Sequence, residues 1–328
     1  MQKLKILLFY RYDRYYNKDE WLHLHFAKAI SEHPEIELKI YGLYIEDIYP
    51  NLMLMPYSSS IVMEDILKKF SPDVIIGMTK ARLFREYNPK QSFKGNLWLP
   101  SGWHNARAIP KIILEEDYFC EENDDWYKEY NIDLILQRHY SQAIREVTFN
   151  EKPKHIWFPF SVDAEIFKPS KELRKNRICF VGANGATYYI HRRKAINCLR
   201  TNNVPLDIFA NNEKIGKEYI KCLQEYNCHL NGSLIYNTTP AKMFEIMACG
   251  SVLLTSENED LKLLFDEGSY VTYNEYCSDL LAKANKILKD ETYRNNIIEK
   301  ALRSIQSRHT HKIRVNELLD IIKREFNL

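Results

Sequence analysis

Lys242 and Glu245 stand three residues apart in the segment Tyr236 to Ser256, which reads YNTTPAKMFEIMACGSVLLTS. On a helix that spacing puts a cation and a carboxylate on one face. Thr239 suits an N-cap and Pro240 a first helical residue, so the helix is expected to start at Pro240 with free backbone N–H groups and a positive dipole end. Such an end suits a phosphate. A nucleotide diphosphate would fit there, with Lys242 on phosphate oxygens and Glu245 accepting from ribose hydroxyls. The competing reading is a solvated ion pair on an ordinary surface helix. Met243, Phe244, Ile246 and Met247 give the helix an apolar surface, Gly250 can end it, and Val252 to Leu254 reads as a buried strand.

A second group of chemistry-bearing residues lies upstream. Arg177 to Val181 reads as a buried strand followed directly by Gly182 and Gly185. A G-x-x-G turn lets a ligand approach backbone N–H groups closely, although it is not the complete dinucleotide fingerprint. Arg192, Arg193 and Lys194 follow, and guanidinium groups pair bidentately with phosphate. The next strand, Leu206 to Ala210, ends at Asn211, Asn212 and Lys214, where a base or ribose could sit. In the first half of the chain Glu115, Glu116 and Asp117 close a strand, and such carboxylates either continue an exposed acidic loop or hold a divalent cation. No D-x-D tripeptide occurs.

The elements that would position these groups alternate between strand and helix. Lys5–Tyr10, Leu38–Tyr44, Asp73–Met78, Ala108–Leu114 and Ile132–Gln137 read as strands, and Glu20–Ile30, Met63–Phe70 and Ser141–Phe149 as helices. The polar loop RYDRYYNKDE follows the first strand, at the end of an open sheet where ligands bind. The charged stretch KPSKELRK, 168–175, reads as a linker. Beyond it come helices over Ile215–Tyr226, Ser278–Lys289, Thr292–Ser307 and His309–Phe326, a loop over Ser256–Asp260 and a short strand over Tyr270–Tyr273. This alternation marks doubly wound α/β domains with parallel sheets.

Composition narrows the function classes. The 328 residues, 45% of them hydrophobic, are enough for two domains with a core each. A formal charge of +2, from 46 basic and 44 acidic residues, gives no basic field of the kind nucleic-acid binding needs. The seven cysteines are scattered and never in C-x-x-C spacing, which argues for reduced thiols in a cytosol and against structural zinc. The H-x-H pairs His23/His25 and His309/His311 point to different helix faces, so no metal ligation is expected. No segment approaches a membrane-spanning length of about 18 apolar residues, so a soluble, cytoplasmic protein is expected, with peripheral membrane contact left open.

The order K-x-F-E-x-x-A-C-G-x-x-L-L-T from Lys242 resembles the donor-site signature of glycosyltransferases with the GT-B fold, and within them the CgeB/YkvP spore-maturation-like branch of the glycosyl transferase group 1 families. FPFSVDAEIFKP, Phe158 to Pro169, resembles the segment that leaves their N-terminal domain, with Ser161 where glycine is usual. RICFVGANGATYYIHRRKAINCL, Arg177 to Leu199, resembles the opening of their C-terminal domain. The resemblance implies two Rossmann-like doubly wound domains with a cleft between them. These would be an acceptor-side domain over 1–167, a nucleotide-sugar-binding domain over 168–308, and a closing helix over 309–328 that returns to the N-terminal domain.

It further implies a hexosyltransferase-like enzyme that moves a sugar from a nucleotide-sugar donor to a hydroxyl acceptor. Donor contacts would come from Gly182, Gly185, Arg192, Arg193, Asn211, Asn237, Thr238, Thr239, Lys242 and Glu245. Lys242 and Arg193 would stabilise the leaving diphosphate, and Glu116 or Asp117 would face sugar or acceptor hydroxyls. A positive site of this kind can replace a metal, so no metal or other cofactor is expected. Retention of the anomeric centre is implied by Glu245, which matches the second glutamate of an E-x7-E pair, while Asn237 holds the place of the first. The alternative is a catalytically inactive GT-B-like protein that binds a nucleotide or glycan. A nucleotide-dependent oxidoreductase would need the full G-x-G-x-x-G, absent at both domain starts.

Overall fold

The computed structural model describes residues 2–10, 20–42, 45, 49–78, 99–115, 125–140, 153–185, 189–210, 213–232 and 238–328. The chain forms two compact units, Met1–Pro159 with Val315–Leu328, and Phe160–Arg314. Each is a parallel sheet with helices.

Unit 1 contains β1 (Leu4–Phe9), α1 (Glu20–Ser31), β2 (Ile36–Tyr41), α2 (Met63–Lys69), β3 (Val74–Met78), a 3-10 turn at Trp103–Asn105, β4 (Lys111–Glu115), α3 (Asp125–Glu129), β5 (Leu134–Gln137) and β6 (Lys154–Trp157). Its strand order is β2-β1-β3-β4-β5-β6, with every pairing parallel. Both faces of this sheet are buried, which is why β1 reads as an unbroken apolar run. Successive residues separate onto two cores: Ile6 and Leu8 join Phe26 and Ile30 of α1, whereas Leu7 and Phe9 join Met63 and Ile66 of α2 and Trp103. Strand β4 starts at Lys111, after the expected Ala108. Pro110 has no N–H for the ladder, and its carbonyl accepts from Ile75 at 2.9 Å. The short edge strand β6 has no apolar run to announce it, because its residues are only partly covered.

Unit 2 runs through β7 (Lys175–Gly182), α4 (Ile190–Thr201), β8 (Leu206–Ala210), α5 (Gly216–Glu225), β9 (Tyr226–Leu230), α6 (Ala241–Ala248), β10 (Val252–Ser256), α7 (Glu259–Leu264), β11 (Val271–Tyr273), α8 (Leu280–Lys289) and α9 (Glu291–Arg308). Its order is β11-β10-β9-β7-β8, again all parallel. Two of these elements were not expected. Strand β9, YNCHL, abuts α5 without a turn and carries polar Asn227 and His229, so no apolar run marks it, yet all five residues are buried. The region expected as a loop after β10 contains α7, capped by Asn258, whose side chain accepts from Asp260 N at 2.9 Å.

Helix α10 (His311–Phe326) begins in unit 2 and ends in unit 1, where Val315, Leu318, Leu319, Ile321 and Ile322 enter the same core as α1. The segment expected as a linker also packs within unit 2. Arg174 donates to the carbonyls of Tyr226 (3.2 Å) and Cys249 (2.5 Å), closing the end of α6 beside Gly250, which has φ +70. The second H-x-H pair has a structural role. His309 gives Nε2–H to Leu264 O at 2.7 Å and packs on Phe244 and Phe265, while His311 meets Ser161 at 2.8 Å. No described helix is long and apolar enough to cross a membrane.

Candidate functional site

The strand order of unit 2 reverses at β7. The chain steps outward to β8 and then returns to the other side of β7 for β9, β10 and β11. Loops leaving the carboxyl ends of β7 and β9 therefore diverge, and it is at such switch points that open α/β sheets bind ligands. Gly182 to Gly185 leave β7, and Asn231 and Gly232 leave β9.

Arg192 stitches these two loops together. From the first turn of α4 its Nε donates to Gly232 O at 2.9 Å and its Nη1 to Ala183 O at 3.1 Å, and its guanidinium carbon lies 4.5 Å from the Tyr189 ring centre. The side chain is buried. Its Nε and Nη1 donors thus meet backbone carbonyls, so Arg192 ties the two loops together where phosphate contact was expected of it. Sequence spacing put an arginine here but could not show which carbonyls it meets. Arg193 beside it is half-buried and makes no hydrogen bond or ion pair among the described residues, and Lys194 is exposed.

Lys242 reaches the same place from the other side. From the first turn of α6 its Nζ donates to Val181 O at 2.5 Å. Gly182 has φ +138, a backbone conformation that strains any side chain, and a Cβ built there would stand 2.2 Å from that Nζ, so it would displace the ammonium from this position. Gly185 is exposed, with nothing within 4 Å of where its Cβ would be. The structure therefore brings Gly182 and Lys242 into contact and leaves Gly185 open.

The helix end differs by one residue from the expectation. Pro240 is the N-cap, with φ −71 and ψ 156, and α6 begins at Ala241. Proline's fixed φ fits this position as it would the next one. Thr239 does not cap the helix; its Oγ1 accepts from Asn258 Nδ2 at 3.0 Å. Thr238 Oγ1 is buried without a hydrogen-bond partner among the described residues, as are Asn231 Nδ2 and Thr255 Oγ1 at the ends of β9 and β10. Buried polar atoms left unpaired cost stability, and each calls for an explanation such as a water, an ion or a ligand. Asn231 escaped sequence reading because a single polar residue ending a strand carries no spacing signal, and Thr255, the last residue of the order that begins at Lys242, had no role assigned by it.

Glu245 is no surface group. Met243 to Ala248 are all buried, and Tyr219 of α5 donates a short hydrogen bond to Glu245 Oε2. Burial, then the adjacent carboxylate charge, hold the Tyr219 hydroxyl well above its usual pKa, so it remains the donor. This overturns the solvated ion-pair reading of Lys242 and Glu245. Tyr273, another residue without a sequence signal, donates to Asn231 O at 2.9 Å and fixes the loop after β9. In unit 1 Glu115 ends β4 buried and accepts from Tyr127 at 3.0 Å. Glu116, Asp117, Asn211 and Asn237 lie outside the described residues.

Two parallel α/β sheets of this kind define the GT-B fold. The structure matches a glycosyltransferase from Rickettsia africae at TM-score 0.67 and 12% identity, covering 99% of each chain. It also matches the Anabaena HepE protein solved with UDP and glucose (0.61, 9%, 98% of this chain and 99% of that one) and sucrose-phosphate synthase from Thermosynechococcus elongatus (0.57, 12%, 99% and 100%). Residues 166–320, which contain the unit 2 residues just described, match the model of the glycosyl transferase-like family. No curated protein matches the sequence significantly.

Proposed function

We propose that the protein is a glycosyltransferase that moves a sugar from a nucleotide-sugar donor to a hydroxyl acceptor, and that unit 2 holds the donor. The observation that carries this is the meeting of Lys242, in the first turn of α6, with Gly182 at the end of β7. A cation, a glycine that keeps the backbone open and a helix end bring positive potential to one spot. Charge on a diphosphate grows as the sugar leaves, so a fixed cation there stabilises the transition state more than the ground state. In this reading Lys242 exchanges the Val181 carbonyl for phosphate oxygens, Arg193 joins it, and Arg192 holds the loops that receive the phosphate. Thr238 and Asn231 offer the donor polar atoms that are unpaired among the described residues. Glu245, steadied by Tyr219, accepts from a ribose hydroxyl through its carboxylate.

Support comes from the family match over 166–320 and from a GT-B neighbour solved with UDP and glucose. We extend the proposal to a hexosyl donor, to retention of the anomeric centre and to transfer that needs no divalent metal, because the positive site already neutralises the leaving group. The CgeB-like assignment rests on the motif beginning at Lys242. A ligand panel tests the donor class: a nucleoside diphosphate and its sugar that raise the melting temperature by mass action identify the base, and stabilisation by none of UDP, GDP, ADP or dTDP sinks the proposal.

A further inference from the structure

The second face of the unit 2 sheet carries a polar cluster that donor binding does not use. Cys179 on β7, Cys222 on α5 and His229 on β9 are buried, and their two sulfurs and one imidazole nitrogen lie within 4.8 Å of one another. Cys179 Sγ and Cys222 Sγ are 3.6 Å apart. The opposite face, where Ile178, Phe180, Cys228 and Leu230 point, is an ordinary apolar core. An imidazole in place of another aliphatic side chain needs a reason. His229 Nδ1 meets Ser251 Oγ at 2.8 Å, and Ser251 Oγ donates to Tyr226 O at 3.0 Å. Nε2 is buried with no hydrogen-bond partner among the described residues.

We propose that Cys179, Cys222 and His229 form a binding site for a thiophilic closed-shell cation, zinc(II) or copper(I), which ties α5 to the centre of the sheet. Two thiolates and an imidazole are the ligand set such ions prefer. With metal–sulfur bonds of about 2.3 Å in tetrahedral geometry, two sulfurs stand roughly 3.8 Å apart, so the observed separation needs almost no adjustment. Ser251 supplies the outer hydrogen bond that orients a ligating imidazole: with its proton on the Tyr226 carbonyl, Nδ1 carries the hydrogen and Nε2 the lone pair. The ligands lie on three separate elements, which is why no C-x-x-C spacing announces them and why the sequence argued against zinc. Binding to both thiols as thiolates releases two protons to solvent, and zinc completes its four-coordination with one further oxygen or nitrogen donor.

The full-length protein, refolded under reducing conditions with zinc(II) in one arm and copper(I) in the other, is passed through gel filtration and weighed by native mass spectrometry. The expected result is one ion retained per chain in at least one arm, at the apoprotein mass plus the metal less two protons for zinc(II) or less one for the singly charged copper(I), together with a higher melting temperature. The arm that retains its ion identifies it. Cys222→Ala should lose that ion, and Ser251→Ala should weaken it by about 10- to 100-fold. Wild-type protein that folds yet retains neither ion overturns the proposal, as does equal retention by Cys222→Ala. Should Cys222→Ala not fold, the wild-type mass and proton release still decide.

Discussion

Lys242 Nζ lies on the Val181 carbonyl at 2.5 Å and directly over Gly182, so the first turn of α6 and the last residues of β7 share one cation. Neither element alone makes a phosphate site. Together they place a positive charge where the sheet's connections diverge.

Gly182→Ala should disturb this contact selectively. The new methyl would occupy the position of Nζ, and φ +138 is strained for any residue with a side chain. We expect a loss of about 1–3 kcal/mol in stability together with weaker donor binding. Calorimetric melting and donor titration check this; unchanged affinity in a folded variant would mean the lysine can act from elsewhere.

Tyr219→Phe should remove a buried donor from Glu245, costing roughly 1–3 kcal/mol. If Glu245 reads the ribose, Glu245→Ala should weaken the nucleoside diphosphate by roughly 1.5–3 kcal/mol, and Tyr219→Phe should weaken it less. A ribose-free pyrophosphate probe should bind both variants as it binds wild type. Equal loss for both probes would place Glu245 in scaffolding alone.

If the cations of unit 2 neutralise the diphosphate, adding Mg²⁺ or Mn²⁺ to enzyme assayed without divalent ions should leave turnover unchanged. A rate that appears only with the metal would move that task to carboxylates such as those near Asp117.

His309 gives stability a pH dependence of known sign. Burial holds its pKa down to about 4, below the unfolded value near 6.5. Above pH 6.5 neither state binds the proton and the full stability is present. As pH falls from 6.5 towards 4 only the unfolded chain protonates, and stability drops by about 1.4 kcal/mol per unit. In His309→Gln the melting temperature should fall less steeply over that window; identical slopes would assign the effect to other groups.

The sequence carried the fold further than it carried the site. Strands such as β1 and β3, buried on both faces, announce themselves as apolar runs, and the glycines and basic residues after β7 mark a turn that a ligand can approach. Strand β9 was hidden by Asn227 and His229, because a strand with polar groups turned into the interior breaks the pattern that identifies strands. Arg192 and Glu245 were legible as chemistry but not as partners. Spacing along a helix says which groups share a face, whereas Gly232 and Tyr219, which decide their roles, come from distant parts of the chain.

The central claim rests on Lys242, and steady-state kinetics with the donor found by the stability panel test it most directly. Lys242→Ala should lower kcat as well as weaken donor binding, because its contact strengthens as the diphosphate leaves, and Lys242→Arg should keep part of the activity. Melting temperatures serve as the folding control. Wild-type kcat in well-folded Lys242→Ala would contradict the account and leave this lysine as a tie between α6 and β7.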